Sequence, residues 1–225
     1  MKAMILAAGR GERMRPLTDH TPKPLIDVLG RPLIVHHIEH LRSAGFTEIV
    51  INTGWLGTQL PARLGDGAAL GVHITWSIEG WPAFETAGGI ATALEWLGPE
   101  PFLVVNGDVF TDYPFAAVRG KLAADCDAHL VLVDNPEHHP KGDFALVDGR
   151  LSLEPEQLRL TFSGIGLYRP AFFAGVPQRQ AGKLAPLLFD GIAHQRISGE
   201  HYAGLWTDVG TPERLAALEQ RQADV

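Results

Sequence analysis

A loop of glycines and basic residues near the start of the chain has the composition of a phosphate-binding site. It contains Gly9, Gly11 and Arg13, and Lys23 follows after a short interval. Glycines allow the backbone to approach a ligand closely, and their N–H groups can converge on phosphate oxygens. Arg13 and Lys23 would add fixed positive charge. The spacing therefore indicates a site for a phosphorylated ligand, although a tight turn with surface cations would explain either feature alone.

Two familiar phosphate-binding motifs do not fit this loop. The dinucleotide-binding fingerprint requires a third glycine where Met14 stands, and the P-loop requires a Gly-Lys-Ser/Thr run that the loop lacks. The loop is therefore of a different kind from either motif.

Two aspartates have the chemistry of magnesium ligands. Asp108 follows an apolar run at residues 102–105, and Asp208 lies at another strand-to-turn junction. Magnesium in proteins favours one or two carboxylates together with substrate phosphates and water. Aspartates at strand ends are also common turn formers, so each has a purely local alternative explanation.

The elements that must position these residues indicate an α/β fold. Short apolar runs alternate with helical patterns, as in a sheet covered by helices on both faces. After Asp134 the pattern loosens and indicates a more antiparallel region. Ligands of open α/β sheets bind beyond the carboxyl ends of the strands, which selects the segments after Leu6, Asn52, Ile78 and Val105. The predicted strands are residues 2–8, 48–52, 72–78, 102–105, 144–147, 151–153 and 161–168, and the predicted helices are residues 32–45, 86–97, 183–195 and 212–222.

Composition limits the function classes. The chain has 225 residues and a formal charge of −7, so no global field draws it to nucleic acid or anionic lipid. Cys126 is its only cysteine, which excludes an intramolecular disulfide and a thiolate-rich metal site. No apolar stretch approaches a membrane span, and we expect a cytoplasmic protein. Basic residues crowd the start of the chain, which suits either a small anionic ligand or a solvated surface: Lys2, Arg10, Arg13, Arg15, Lys23 and Arg31.

The stretch from Leu6 through Arg13 to Lys23-Pro24 resembles the signature of the sugar-1-phosphate nucleotidyltransferases, and the resemblance covers nearly the whole chain. It implies a Rossmann-like three-layer α/β/α domain with a mixed, mostly parallel central sheet. We expect a single domain over residues 1–225, with a nucleotide-binding part at about 1–110 and a sugar-binding part at about 111–225. The implied roles are nucleotide binding by Ala8, Gly9, Gly11 and Asn106, catalysis by Arg13 at the leaving pyrophosphate and by Lys23 at the α-phosphate, and Mg²⁺ binding by Asp108 and Asp208.

Glu79 matches the base-recognition loop of this family. A carboxylate accepts hydrogen bonds only, so it suits the N3–H of uracil or thymine or the N1–H and N2–H groups of guanine, and a solvent-exposed loop glutamate is the alternative. The family commonly has glycine where this chain has Glu85, which puts contacts through that position in doubt. The residues expected to bind the sugar substrate are Asn106, Asp143, Ser163, Gly164 and Lys183, the last of which could equally be a surface lysine.

Four segments look closest to the N-acetylmuramate α-1-phosphate uridylyltransferases of bacterial cell-wall recycling: residues 106–113, 132–136, 183–188 and 199–202. The partners implied by this resemblance are UTP and N-acetylmuramate 1-phosphate, with Mg²⁺ as the cofactor. Two alternatives stay open at this point. One is a mannose-1-phosphate guanylyltransferase or another enzyme of the family, and the other is a nucleotide-sensing subunit without turnover.

Overall fold

The computed structural model of the chain describes residues 1–154 and 156–223, and this part contains thirteen strands and five α-helices. In chain order the strands are β1 (Ala3–Ala7), β2 (Asp27–Val28), β3 (Arg31–Pro32), β4 (Glu48–Thr53), β5 (His73–Ile78), β6 (Phe102–Asn106), β7 (Val109–Thr111), β8 (Ala128–Val133), β9 (Phe144–Val147), β10 (Arg150–Ser152), β11 (Arg159–Tyr168), β12 (Ile197–His201) and β13 (Trp206–Asp208). The helices are α1 (Leu33–Ser43), α2 (Gln59–Leu64), α3 (Glu85–Leu97), α4 (Leu184–Ala193) and α5 (Pro212–Ala223).

Nine strands form one mixed sheet in the order β5-β4-β1-β6-β11-β8-β12-β10-β9. The first four pair in parallel, and β11 then runs antiparallel to both β6 and β8. The first residues of β11 also pair with β9, so β11, β8, β12, β10 and β9 close on themselves. Two small sheets, β7 with β13 and β2 with β3, lie outside this sheet.

Helices cover both faces of the sheet because the strand residues alternate between two cores. In β1, Ala3 and Ile5 pack into a cluster with Ile34 of α1, whereas Met4 packs into a second cluster with Ile90 of α3. Successive strand side chains point to opposite faces, so a strand with both faces apolar must be covered twice. The three-layer α/β/α arrangement follows from this alternation.

The predicted mixed sheet is confirmed, and its parallel pairing is concentrated in the half that contains β1. The predicted strands and helices agree with the observed elements to within two residues. Strands β8 and β12 were not predicted, although the six residues of β8 are all buried. Among residues 1–154 and 156–223, no helix is both long enough and apolar enough to cross a membrane.

Gly88 of α3 packs against the backbone segment that leads into α4. A Cβ at this position would lie 2.0 Å from the carbonyl oxygen of Gln180. Alanine ordinarily favours a helix over glycine by about 1 kcal/mol, but a clash with backbone cannot be relieved by a rotamer change. We expect Gly88→Ala to lower the free energy of unfolding by about 1–3 kcal/mol, measured by urea denaturation.

The matched control is Gly175→Ala, because no atom lies within 4 Å of a Cβ built at Gly175. We expect this variant to unfold at nearly the same urea concentration as the parent. Equal stability of the two variants would contradict the packing described for Gly88.

Candidate active site

The glycine- and arginine-containing loop after β1 folds back on itself through three short 3-10 turns. Gly11 has a φ of 68°, in the left-handed region that glycine adopts at little cost. Thr18 Oγ1 donates a hydrogen bond of 2.8 Å to the carbonyl oxygen of Gly11. A Cβ at Gly11 would lie 3.1 Å from Cβ of Lys23. The loop therefore brings the two ends of the predicted motif into contact, and glycine is required where they meet.

Lys23 forms an ion pair with Asp108 beyond the carboxyl ends of β1 and β6. Lys23 Nζ lies 2.7 Å from Asp108 Oδ2, and the lysine side chain is only 12% exposed. The two strands are parallel neighbours, and the N–H of Gly107 donates to the carbonyl oxygen of Leu6. A Cβ at Gly107 would lie 2.6 Å from that oxygen, so glycine lets the strand ends approach. This contact places Asp108 opposite the basic loop.

Asp108 directly precedes β7, and Asp208 is the last residue of β13, the strand that pairs with β7. Asp208 of β13 pairs with Val109 of β7 in an antiparallel ladder. The backbone N–H of Val209 donates a 2.7 Å hydrogen bond to the carbonyl oxygen of Asp108. The small β7–β13 sheet therefore joins two points of the chain that are far apart in sequence.

Asp208 has partners of its own. Arg214 Nη1 donates a hydrogen bond to Asp208 Oδ2, and it also lies 3.0 Å from His138 Nε2. His138 Nε2 lies 3.1 Å from Asp208 Oδ1 without hydrogen-bond geometry. When this nitrogen accepts a hydrogen from Arg214, it has none to give to the carboxylate. Asp208 Oδ1 is buried, and within the described part of the chain it therefore has no hydrogen bond.

These residues fit a divalent cation. A buried carboxylate oxygen without a donor is costly unless a cation or water satisfies it, and Asp208 Oδ1 is such an atom. Within residues 1–154 and 156–223, no cluster of three or more histidine, cysteine, aspartate or glutamate side chains could hold a metal alone. Asp108, in the turn before β7, and Asp208, at the end of β13, supply two carboxylates. Two carboxylates match the set that magnesium uses when substrate phosphates supply the remaining oxygens.

A cavity of about 590 Å³ opens above the Lys23–Asp108 pair. Its volume is within the range typical of small-molecule sites. Arg13 is exposed and lines this cavity, whereas Asp208 does not. The lining residues that were predicted to bind the nucleotide or the metal are Ala8, Gly9, Gly11, Arg13, Lys23, Asn106 and Asp108.

A second cavity of about 770 Å³ adjoins the first, and three residues line both. They are Glu85 and Thr86 at the start of α3 and Asn106 at the end of β6. A Cβ at Gly164 would lie 2.5 Å from Nδ2 of Asn106, so this glycine leaves room for the asparagine. Two ligands bound in the two cavities would meet at Asn106.

Glu79 is turned inward and lines neither cavity. Its Oε1 accepts a 2.6 Å hydrogen bond from Asn52 Nδ2, and its Oε2 accepts one of 2.7 Å from the N–H of Phe84. Burial raises the pKa of this carboxyl, while the two hydrogen bonds oppose the increase. The structure thus gives Glu79 a role in fixing the loop that leads to Glu85. Its predicted contact with the base stays a prediction.

Five residues were predicted to bind the sugar substrate. Three of them, including Asn106, line the second cavity, and two do not. Asp143 and Lys183 line it. Ser163 is buried, and its Oγ donates a 2.7 Å hydrogen bond to the carbonyl oxygen of Val131, so its hydroxyl hydrogen is already used. Gly164 lies beneath Asn106 at the irregular part of β11. Ser163 and Gly164 therefore lie beneath the cavity surface and support residues that line it.

The basic cluster of the N-terminal segment divides into two groups. Arg13 and Lys23 line the first cavity. The other four do not, and each has contacts elsewhere: Lys2 donates to the carbonyl oxygen of Trp96, Arg10 lies over the ring of Trp55, Arg15 pairs with Asp19, and Arg31 pairs with Glu39. The sequence identified the basic cluster, and the tertiary fold places Arg13 and Lys23 of that cluster at the first cavity.

Several residues of the site were not predicted. Arg214 contacts Asp208, and Arg159 lines the second cavity. Glu85 lines both cavities with a φ of 57°, an uncommon conformation for a residue with a side chain. The only sequence signal for Glu85 was its departure from the glycine common in the family. Arg159 had no signal because it stands at the start of an ordinary strand.

Comparison with known proteins identifies relatives over the whole chain. The family model described as nucleotidyl transferase matches residues 2–161. The N-acetylmuramate alpha-1-phosphate uridylyltransferase of Neisseria meningitidis serogroup B is 56% identical over 221 residues, covering 96% of this chain and 95% of the relative. The enzyme of the same name from Caulobacter vibrioides is 35% identical, covering 99% and 97%. Mannose-1-phosphate guanyltransferase beta-A of Xenopus laevis is 31% identical, covering 95% of this chain and 62% of the relative.

Solved structures agree on the fold. A Bacillus anthracis protein crystallised with sucrose matches with a TM-score of 0.87 at 23% identity, covering 100% of this chain and 96% of that one. HddC from Yersinia pseudotuberculosis, complexed with GMP-PN, matches with a TM-score of 0.80 at 19% identity, covering 98% and 99%. At such identities these likenesses show the fold alone.

Proposed function

This chain belongs to the nucleotidyl transferase family, and from that premise we propose that it joins UTP to N-acetylmuramate α-1-phosphate, giving UDP-N-acetylmuramate and pyrophosphate. The observation that carries nucleotidyl transfer is the meeting of two cavities at Asn106, above the Lys23–Asp108 pair. The choice of base and sugar is supported by the similarity to the Neisseria meningitidis enzyme, which extends over nearly all of both chains.

In the proposed reaction, an oxygen of the sugar 1-phosphate attacks the α-phosphorus of UTP in line. A new P–O bond forms, the bond from the α-phosphorus to the bridging oxygen breaks, and pyrophosphate leaves with the bond electrons. The attacking phosphate is already anionic, so no side chain has to remove a proton. The task of the protein is to position two anions and to neutralise their charge.

Lys23 and Arg13 supply the positive charge of the proposed mechanism. Lys23 is mostly buried and held beside Asp108, so its ammonium group would need little reorganisation to stabilise charge at the α-phosphate. Arg13 is exposed at the edge of the same cavity and would stabilise the departing pyrophosphate. Glycines 9 and 11 would let backbone N–H groups approach the phosphates.

We further propose Asp108 and Asp208 as the residues that hold Mg²⁺. The support is the pairing of β7 with β13, which brings the backbones at Asp108 and Asp208 together, and the buried oxygen of Asp208 that has no hydrogen bond within the described residues. A magnesium ion held there would neutralise phosphate charge and help to orient the triphosphate. A cytoplasmic role in peptidoglycan recycling belongs to the same proposal, because the proposed product is a nucleotide-activated cell-wall sugar.

A panel of triphosphates and sugar 1-phosphates, assayed by pyrophosphate release, tests the proposed function. We expect turnover with UTP and N-acetylmuramate 1-phosphate, dependence on Mg²⁺, and a kcat/KM at least about tenfold lower for other pairs, since a single well-recognised group is worth that much or more. Preference for GTP with mannose 1-phosphate would instead identify a guanylyltransferase. Nucleotide binding without turnover of any pair would identify a sensor.

A further inference from the structure

Two cationic side chains, Lys183 and Arg159, line the second cavity. Lys183 directly precedes α4, whose start is attached to the start of α3, and Arg159 is the first residue of β11. A sugar 1-phosphate needs one cation for its phosphate. A neutral sugar does not explain the second cation, which therefore indicates a substrate with a further negative charge.

Lys183 is held at the junction by backbone hydrogen bonds of the preceding residue. The carbonyl oxygen of Gly182 accepts from the N–H groups of Ala87 and Gly88, and the N–H of Gly182 donates to Phe84. These contacts attach the start of α4 to the start of α3, where Glu85 lines both cavities. Lys183 is thereby placed where a sugar phosphate must lie to reach the α-phosphorus.

Arg159 is the first residue of β11, five residues and therefore about 15 Å along the strand from Gly164, which packs against Asn106 where the two cavities meet. It pairs with Ala145 of β9, and its Nη2 donates a 3.1 Å hydrogen bond to the carbonyl oxygen of Leu153. In the described part of the chain its guanidinium forms no ion pair, since Asp143 of the same cavity contacts His139 and the N–H of Phe162 instead. The remaining guanidinium donors are available to a ligand.

Apolar side chains line the same cavity as the two cations. Phe144 and Phe189 pack edge to face with ring centroids 6.2 Å apart, and Phe189 is 48% exposed. An exposed aromatic ring at a cavity is a suitable contact for methyl groups. The apolar residues of this wall are Phe144, Phe162, Leu184, Leu188 and Phe189.

We infer that Arg159 is a specificity-determining residue that binds the carboxylate of the lactyl ether on the sugar, with the apolar wall against the methyl groups. N-acetylmuramate differs from N-acetylglucosamine by this lactyl group, which adds one carboxylate and one methyl. A guanidinium presents paired donors that match a carboxylate. The inference rests on the proposed function and extends it to the residue that distinguishes these two sugars.

The test compares Arg159→Gln with the parent on N-acetylmuramate 1-phosphate and N-acetylglucosamine 1-phosphate, with UTP and Mg²⁺. Glutamine keeps a polar, hydrogen-bonding side chain at this position but lacks the charge. We expect kcat/KM for N-acetylmuramate 1-phosphate to fall about 100-fold, mainly through KM, because a charged hydrogen-bonding partner is lost. The rate with N-acetylglucosamine 1-phosphate should change less than about threefold, and Arg159→Lys should restore part of the loss.

Calorimetry with UDP-N-acetylmuramate and UDP provides a second readout that needs no turnover. Arg159→Gln should weaken binding of UDP-N-acetylmuramate by a similar factor and leave binding of UDP unchanged. The matched control is Lys141→Gln, an exposed cation that lines neither cavity, and it should alter neither affinity.

Equal losses on both sugars, or on both nucleotides, would show that Arg159 has only a structural role and would overturn the inference. Absence of turnover by the parent would defeat the proposed function on its own. The binding comparison would still decide the inference, because a parent that binds UDP-N-acetylmuramate no better than Arg159→Gln does would also overturn it.

Discussion

Replacing Asp108 by asparagine is expected to lower kcat by about 10³-fold, equivalent to about 4 kcal/mol of transition-state stabilisation. The amide keeps the size of the side chain but loses the negative charge that faces Lys23 at 2.7 Å and that would hold the cation. The side chain is 34% exposed, so the fold should lose less than about 1 kcal/mol. Steady-state pyrophosphate release over a range of Mg²⁺ concentrations measures the first effect, and urea denaturation measures the second.

A suitable control is Asp134→Asn, because Asp134 is an exposed carboxylate paired with His201. It should leave both kcat and the magnesium dependence unchanged. Near-parental rates for Asp108→Asn at limiting Mg²⁺ would show that this carboxylate does not hold the metal.

Replacing Lys23 by methionine is expected to lower kcat by about 10²- to 10³-fold, with a smaller effect on the KM for UTP. Methionine retains much of the buried aliphatic volume, so the loss reports on the ammonium group. The lysine side chain is 12% exposed, and low exposure strengthens the interaction of its ammonium group with charge that develops at the α-phosphate. Single-turnover measurement of UDP-sugar formation separates the chemical step from product release.

The chain offers a matched lysine–carboxylate pair for comparison. Lys121 Nζ lies 2.9 Å from Glu200 Oε2 and lines neither of the two cavities at Asn106. Lys121→Met should leave kcat unchanged. If the Lys23 variant raised only the KM for UTP, the lysine would be a ground-state binding residue, and its assignment to the transition state would be wrong.

Local patterns predicted the fold well where each element carries its own signal. Alternation and continuous apolar runs identified β1, β4, β5 and β6, and the parallel-sheet rule then directed attention to the segments that follow them. Those segments do line the first cavity, including Asn52 and Asn106. The placement of Asp108 beside Lys23 follows from the neighbouring positions of β1 and β6.

Side-chain direction was not predictable in the same way. Glu79 has the residue type of a base-contacting carboxylate, yet Asn52 and the N–H of Phe84 occupy both of its oxygens. Ser163 likewise uses its hydroxyl on Val131 at an irregularity of β11. Both outcomes depend on partners that are distant in sequence, and no local pattern encodes them.

The remaining residues of the site emerge only when the elements are assembled. Arg159 and Lys183 line one cavity because β11 pairs with β9 and the start of α4 attaches to α3. Arg214 and His138 meet at Asp208 in the same way. Long-range pairing decides these contacts, which is why the second cavity was less well predicted than the first.

The position of Mn²⁺, a divalent substitute with an anomalous signal, tests the central claim most directly. We predict that crystals grown with Mn²⁺ and a non-hydrolysable UTP analogue will show the ion coordinated by carboxylate oxygens of Asp108 and Asp208 and by phosphate oxygens, with Lys23 on the α-phosphate. An ion bound elsewhere while the analogue occupies the first cavity would contradict the account.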